Sequence, residues 1–165
     1  MLGIKDEYLQ ELMSKLSATG IFVVSGNNPA NVMTSHWGAY GTFWGKPMFV
    51  LPVRQSRHSH GLIDAAHEFA LSVARKDMSQ AIHRCEHVSG RNLDKFAYCH
   101  LHPTPCRKIN TSYVSDCGLH FECRVVFKTV MEGAQLFDLK IPDRYYKDKN
   151  YHTMFFAEIL TAYED

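Results

Sequence analysis

Four side chains suited to binding an anion lie within six residues of one another in the first half of the sequence. They are Arg54, Ser56, Arg57 and Ser59. Arginine donates paired hydrogen bonds to an oxyanion, and serine hydroxyls can complete the shell around it. The segment leads into a predicted helix near Leu62, and a helix N-terminus favours negative charge. The pattern therefore suits a phosphate group, although an arginine pair on a loop is also common as plain solvated surface.

A second polar segment precedes the first and carries an indole. Asn31, Thr34, Ser35 and Trp37 lie where a predicted strand passes into a loop. The segment thus presents small polar side chains and one indole at the end of a strand. Taken singly, Trp37 is more typical of a core aromatic residue than of a ligand-binding one.

Several common catalytic motifs are absent from the sequence. The glycines never fall in the spacing G-x-G-x-x-G of dinucleotide-binding folds, and no phosphate-binding P-loop accompanies Gly45-Lys46. Neither the G-x-S-x-G motif of hydrolases nor the H-E-x-x-H motif of zinc proteases occurs. These exclusions leave the two polar segments as the main candidate site.

The cysteines indicate reduced thiols. There are 5 of them, an odd number, and no C-x-x-C pair occurs. The segment Cys99–Cys106 also holds His100 and His102, but its spacing is not that of structural zinc ligands. A metal-binding module at this segment is one hypothesis, and a proline-rich surface loop with partly buried thiols is the favoured one.

Composition predicts one compact domain over residues 1–165. The 45% of hydrophobic residues suffices for a core, and a chain of this length needs no metal or disulfide to fold. The 18 Lys and Arg nearly balance the 17 Asp and Glu, which argues against a nucleic-acid partner. No signal-peptide pattern or membrane-length apolar run occurs, so we expect a cytoplasmic protein without a membrane partner.

Apolar patterning predicts mostly strands, with short helices between them. A helical stripe covers Asp6 to Leu16, because apolar residues recur there at helical spacing. No regular alternation of strands and helices occurs, so we expect a mainly β fold that forms a barrel. The other predicted elements are strands at 21–24, 32–42 (with a loop), 47–54, 69–74, 121–127, 136–141 and 153–162, and helical segments at 62–67, 79–87 and 94–98.

Four segments, in order, resemble the flavin reductase-like, FMN-binding split-barrel family, and its flavoredoxin-like subgroup most closely. The first is Asn31-x-Met33-Thr34-Ser35-x-Trp37 and the second is the strand entry at residues 44–48. The third is Arg54-x-Ser56-Arg57, and the fourth is Ser-Gly-Arg-x-x-Asp-Lys-Phe at residues 89–96. The resemblance runs from about Gly20 to Tyr163. It implies a split β-barrel of Greek-key type with a few short peripheral helices.

The resemblance also implies where the flavin binds. The Ser-Arg segment binds the FMN phosphate in this family, which falls on Ser56, Arg57 and Ser59 with Arg54 beside them. The lysine of Asp-Lys-Phe contacts the flavin, which falls on Lys95. C-terminal aromatic residues of a partner chain can cover the flavin, which makes Phe155 and Phe156 candidates. The first segment lies along the isoalloxazine ring, and its residues here are Asn31, Val32, Met33, Thr34 and Ser35, with Trp37 as an apolar wall.

Three positions depart from the family pattern. Ser59 stands where threonine is common, His58 where an aromatic residue is common, and His36 where a small residue is usual. Serine keeps the hydroxyl, so we expect phosphate binding to survive. His36 and His58 affect which class of substrate we expect, and they do not change the expectation that the protein binds a flavin.

The function that the resemblance implies is that of a homodimeric FMN-binding oxidoreductase. One hypothesis is an NAD(P)H-dependent flavin reductase, with NADH or NADPH bound transiently over the flavin. The alternative is an electron-transfer carrier, similar to flavoredoxin, that exchanges electrons with a redox protein partner and has no NAD(P)H activity of its own.

Overall fold

Seven antiparallel strands form one strongly curved sheet in the computed structural model, which describes residues 3–165. The strand order is β2-β1-β5-β8-β9-β4-β3, so hairpins alternate with longer connections. A separate two-stranded ribbon pairs β6 with β7. The strands are β1 (Ile21–Ser25), β2 (Asn31–Ser35), β3 (Ala39–Phe43), β4 (Lys46–Arg54), β5 (Glu68–Ala74), β6 (Pro103–Pro105), β7 (Ser112–Val114), β8 (Gly118–Val130) and β9 (His152–Glu164).

Five helices and a single 3₁₀ turn (Gly133–Gln135) complete the described elements. The first helix begins with Asp6 and Glu7 and carries Lys15 in its last turn, charges that suit the helix dipole. Gly20 follows it with a φ of +85°, a backbone conformation that favours glycine. The helices are α1 (Asp6–Ala18), α2 (His58–Ala66), α3 (Ser79–Glu86), α4 (Lys95–Cys99) and α5 (Lys140–Tyr145).

Two apolar cores lie on the two faces of the sheet. The larger one fills the inside of the curved sheet, where Phe49, Phe121 and Phe155 are fully buried and α1 contributes Leu12. The smaller one lies under α3 and α4 and contains Phe22 and other residues of β1, β2 and β5. Burial of large aromatic and aliphatic side chains on both faces supplies the main stabilisation of the fold.

The two longest strands, β8 and β9, pair antiparallel along nearly their whole length. The register of this pairing shifts between Glu122 and Cys123 and again between Val125 and Phe127. Such bulges bend a strand and increase its twist, which lets one sheet curl around a core. The first residue of β9, His152, pairs with Arg54 at the end of β4. This pairing brings the chain after α5 next to the predicted phosphate segment.

Most of the predicted elements are confirmed, and one is wrong. The predicted helix near Asp6 and the strands of both halves are present, as is the mainly β class. The segment 136–141 is not a strand: it is an exposed loop that enters α5. Leu139 is 75% exposed there, and Asp138 accepts a hydrogen bond from the Lys140 backbone amide at 3.0 Å. Local Asx-turn chemistry outweighs the apolar pattern in this segment.

Within residues 3–165, the structure contains no helix that is both long enough and apolar enough to cross a membrane.

Candidate functional site

A large cleft opens where β2, β4, α3 and the start of β9 meet. Its volume is about 490 Å³, and Arg54 and Arg57 lie on one side of it. Polar groups and aromatic rings share the remaining walls. The lining residues are Met33, Thr34, Ser35, His36, Trp37, Pro52, Val53, Arg54, Arg57, Glu86, His87, Tyr145 and His152.

A small hollow of about 60 Å³ continues from the cleft at the N-terminus of α2. The cleft and the small hollow share Met33 and Arg57. Its volume suits a single phosphate-sized group rather than a ring. The lining residues are Asn31, Met33, Arg57, His58, Ser59, Val88, Ser89, Gly90, Arg91 and Lys95.

The start of α2 presents backbone donors to the small hollow. Arg57 is the N-cap residue, and no side chain caps the helix. The first amide groups of a helix have no partners within it, so an anion can satisfy them. Ser59, in the first turn, is 2% exposed and accepts a hydrogen bond from Asn31 Nδ2 at 2.9 Å. This contact fixes β2 against α2.

The loop before α4 supplies two further cations. Arg91 Nη1 donates to the Ser56 carbonyl oxygen at 2.8 Å, which holds the loop against the end of β4. Asp94 caps α4 and accepts from the backbone amides of Phe96 and Ala97 at 2.9 and 3.2 Å. The next residue, Lys95, is therefore fixed at the first helical position, and only 6% of it is exposed.

The small hollow is strongly electropositive. Arg57, Arg91 and Lys95 line it, and no carboxylate is among its lining residues in the described part of the chain. Burial, with Arg91 and Lys95 nearby, lowers the pKa of His58, so this imidazole is neutral near pH 7. Burial raises the pKa of the neighbouring Cys85 to about 12, so its thiol does not neutralise Lys95. The site is therefore complementary to a dianion.

Arg54 and Ser56 are engaged by the segment after α5 rather than by the small hollow. Arg54 donates to the carbonyl oxygens of Tyr145 and Asn150, both at 2.8 Å. Its guanidinium also lies 5.2 Å from the centre of the Tyr146 ring. Ser56 Oγ accepts a hydrogen bond from Asn150 Nδ2 at 2.6 Å. Arg54 therefore fixes the wall of the cleft.

Aromatic rings close the other end of the cleft. The Trp37 ring lies 5.2 Å from both Tyr145 and His152, measured between ring centres. His152 Nδ1 and the Tyr146 hydroxyl are 2.6 Å apart, and burial lowers the pKa of His152 to about 4. The imidazole is therefore neutral near pH 7 and shares one hydrogen bond with the Tyr146 hydroxyl. Trp37 is thus supported from two sides, although it is 41% exposed.

Two predicted residues lie away from the cleft. Val32 is fully buried in the core under α3 and α4, so only its backbone can face a ligand. Phe155 is fully buried inside the sheet, where it packs near His60 with ring centres 5.4 Å apart. Phe156, its neighbour in β9, lies on the outer face against Phe43 and Phe127. The remaining predicted residues line the cleft, the small hollow or the adjoining Arg54 segment.

Sequence reasoning missed several residues that line the cleft or the small hollow, and five of them show which signals were present and which were not. Ser89 and Arg91 belong to the Ser-Gly-Arg segment, so the resemblance already contained the signal for them. Glu86, Tyr145 and His152 had no such signal. They reach the cleft through the packing of α3 and through the pairing of β9 with β4, and neither contact leaves a local pattern in the sequence.

The segment Cys99–Cys106 does not gather metal ligands. Cys99 is buried at the end of α4, and Cys106 is half-buried after β6. Across residues 3–165, no group of three or more His, Cys, Asp or Glu side chains is placed to hold a metal ion.

Gly90 is predicted to be essential to the shape of the small hollow. A Cβ atom at this position would overlap the Asn31 amide and lie 2.7 Å from its Cγ. We expect Gly90→Ala to displace Asn31 from Ser59 and to weaken binding of the hollow's ligand by roughly 10- to 100-fold, since overpacking costs about 1–3 kcal/mol. Titration of the purified variant with FMN, the cofactor that the family resemblance implies, measures the change in affinity.

Gly61→Ala is the matched control for Gly90→Ala. Gly61 lies in α2, and nothing stands within 4 Å of a Cβ atom built there. Its replacement should leave ligand binding unchanged. Equal affinity in the two variants would contradict the role given to Gly90.

Comparison with known proteins places this fold among solved flavoproteins. A flavoredoxin of Desulfovibrio vulgaris (Miyazaki F) has a TM-score of 0.69 at 20% identity, over 88% of this chain and 69% of its own. A putative flavin reductase with a split barrel domain, from Shewanella frigidimarina, has a TM-score of 0.71 at 12% identity, over 99% and 76%. The expected split-barrel fold is therefore confirmed.

Sequence comparison covers nearly the whole chain. An uncharacterised protein of Archaeoglobus fulgidus is 27% identical over 154 residues, which are 93% of this chain and 73% of that protein. The family model described as "Flavin reductase like domain" matches residues 13–165. The matched range includes the cleft, the small hollow and every strand of the sheet. The chain belongs to the flavin reductase-like domain family.

Proposed function

We propose that this protein binds FMN and acts as a flavin-dependent oxidoreductase. The observation that carries the proposal is the small cationic hollow at the start of α2, directly continuous with a cleft walled by aromatic rings. A flavin mononucleotide has the matching shape, namely a flat apolar ring joined by a polar chain to one dianionic phosphate. The donors of the hollow and the volume of the cleft both fit this group.

The phosphate is bound by the start of α2 and by three cations. Arg57 and Arg91 donate charge-assisted hydrogen bonds, and Ser59 with the first amides of α2 completes the shell. Lys95, which lines the same hollow and is almost fully buried, is the third cation and would donate to the phosphate. Arg54 acts indirectly, because it fixes the segment that carries Tyr145.

The isoalloxazine ring occupies the large cleft along β2. Met33 and Trp37 offer apolar contacts to it, while Thr34 and Ser35 present hydroxyl groups and backbone amides to its polar edge. His152 presents a neutral imidazole to the same space. When bound, the flavin supplies the acceptor for a hydride or for single electrons, and the protein orients it and tunes its charge.

We favour an NAD(P)H-dependent flavin reductase over a carrier. The cleft is open to solvent beside Trp37, so NADH or NADPH can approach a bound ring. A solved structure of similar fold, the NADH:FAD oxidoreductase of Streptomyces globisporus C-1027, covers the full chain with a TM-score of 0.67 at 18% identity. The similarity to flavoredoxins keeps an electron-transfer carrier with a redox protein partner as the second candidate.

Two measurements on the purified protein test this proposal. An absorbance scan should show the flavin bands, and denaturation should release FMN. Rapid mixing with NADH or NADPH without oxygen should then bleach the flavin. A bound flavin that neither nucleotide reduces would favour the carrier. Failure to take up added FMN would refute the proposal as a whole.

We also propose that the protein is a homodimer. An aromatic patch of Phe43, Trp44, Phe127 and Phe156 lies on the outer face of the sheet, with neighbouring ring centres 5.3–6.2 Å apart. Trp44 is 64% exposed and has a φ of +51°, which is unfavourable for a bulky residue. Contiguous exposed aromatic surface is typical of protein interfaces. One strand of the patch, β9, also borders the cleft through His152.

The dimer proposal predicts a specific effect of charge on the patch. Trp44→Glu combined with Phe127→Glu should turn a dimer into a monomer and weaken association at least 100-fold, because each glutamate would be desolvated in the interface. Sedimentation velocity measures this. Tyr98→Glu is the control, because Tyr98 is exposed to 49% on α4, away from the patch. A monomeric wild-type protein would contradict the proposal.

A further inference from the structure

A third cavity, which we call the outer hollow, adjoins the cleft at Arg54 and Arg57. Its volume is about 430 Å³. It shares Arg54, Arg57 and Tyr145 with the cleft, so the two spaces are neighbours. The lining residues are Arg54, Ser56, Arg57, Arg144, Tyr145, Lys147, Asp148 and Asn150.

Positive charge dominates the outer hollow. Four of its lining residues are cations and one is a carboxylate. That carboxylate, Asp148, lies 3.9 Å from Arg54 Nη1. Within residues 3–165, none of Arg57, Arg144 and Lys147 has a carboxylate within 4.0 Å. Three cations thus face one open space without an internal counter-ion.

The segment that carries Arg144 and Lys147 is firmly attached. Arg54 binds the carbonyl oxygens of Tyr145 and Asn150, and the Asn150 amide binds Ser56. These three hydrogen bonds, at 2.6–2.8 Å, join the segment to the end of β4 on both sides of Lys147. The backbone that carries Arg144 and Lys147 is therefore held beside the cleft.

The phosphate of the flavin accounts for Arg57, but not for Arg144 and Lys147 of the outer hollow. The small hollow already provides Ser59, Lys95, Arg91 and the start of α2 for one phosphate group. A ligand that reaches the outer hollow from the cleft must carry further negative charge and extend outward from a flat ring. A nicotinamide dinucleotide has this form, with its ring over the flavin and its phosphates beyond.

We infer that the outer hollow binds the phosphate groups of the nicotinamide dinucleotide, and that Arg144 and Lys147 select NADPH over NADH. This inference rests on the proposed function. Both nucleotides carry the diphosphate, but only NADPH adds a 2′-phosphate, which brings up to two further negative charges. With Arg57 shared with the cleft, Arg144 and Lys147 are the cations available for that extra group.

Calorimetric titration of the full-length, flavin-loaded protein tests the inference. Adenosine 2′,5′-bisphosphate should bind at least tenfold more tightly than 5′-AMP. In the double variant Arg144→Ala with Lys147→Ala, the ratio of these two affinities should fall at least tenfold. The ratio of kcat/KM for NADPH to that for NADH should fall in parallel. Lys140→Ala, an exposed lysine of α5 outside the hollow, should keep both preferences.

Each alternative outcome is distinguishable. Equal binding of the two adenosine phosphates overturns the inference, and tight binding of 5′-AMP would instead assign the hollow to the adenylate of FAD. An unchanged preference in the double variant also overturns it. Flavin content is measured in every sample: a protein that takes up no flavin refutes the proposed function, and the titration still reports on the outer hollow.

Discussion

Arg57→Ala combined with Ser59→Ala is expected to release bound flavin while the fold persists. Arg57 borders the cleft, the small hollow and the outer hollow, and Ser59 is the buried hydroxyl at the start of α2. Hydrogen bonds to a charged group contribute about 1.5–3 kcal/mol each. Losing two of them should weaken FMN binding roughly a thousandfold. Recovery of flavin fluorescence on dilution gives the dissociation constant.

Arg124→Ala provides the matched control for the loss of an arginine. Arg124 lies on β8, pairs with Glu68 at 3.3 Å and lines none of the three cavities. Its replacement should leave flavin content unchanged. Circular dichroism shows whether each variant is folded. Full flavin occupancy in the folded double variant would refute the assignment of the phosphate to α2.

Phe155→Ala is expected to destabilise the protein by about 3–5 kcal/mol, the usual cost of removing a fully buried aromatic ring. Phe155 is fully buried in the larger core and faces Leu51 across the pairing of β4 with β9. The cavity left behind would remain, because the surrounding strands are held by their hydrogen bonds. Urea unfolding monitored by fluorescence measures the change in the free energy of unfolding.

Phe156→Ala separates this role from a role at the flavin. Phe156 lies in the aromatic patch and is only partly buried, so its removal should cost less stability and should weaken dimer formation. If Phe155→Ala instead unfolds at the wild-type urea concentration but loses flavin, Phe155 covers the cofactor, as the family resemblance implies.

In β9, the sequence alone cannot decide which face of the sheet each side chain points to. Phe155 and Phe156 are adjacent, and successive side chains of a strand point to opposite faces. A shift of register by one residue would exchange their environments. The bulges between β8 and β9 fix that register, and no short sequence pattern predicts these bulges. The strand itself is predictable from its apolar residues, but the face of each ring is not.

The residues of the candidate site also fall into two groups, those that the sequence predicts and those that it does not. Arg57, Ser59 and Lys95 are recognisable because each belongs to a short segment whose residue types suit an anion. Tyr145 and His152 are not, since they reach the cleft only when β9 pairs with β4, nearly a hundred residues earlier in the chain. The failed strand at 136–141 has a local cause, because Asp138 and Pro142 favour a turn and a helix start there.

The Arg57 guanidinium borders three neighbouring cavities. A ligand in one cavity therefore changes the affinity of the others for their ligands. Arg57 borders the cleft and both hollows, so an anion in one hollow reduces the positive potential in the other. Such a coupling free energy is reciprocal, so each ligand changes the affinity of the other by the same factor. The flavin phosphate in the small hollow would therefore weaken binding of a dinucleotide in the outer hollow, and the dinucleotide would weaken binding of the flavin by the same factor.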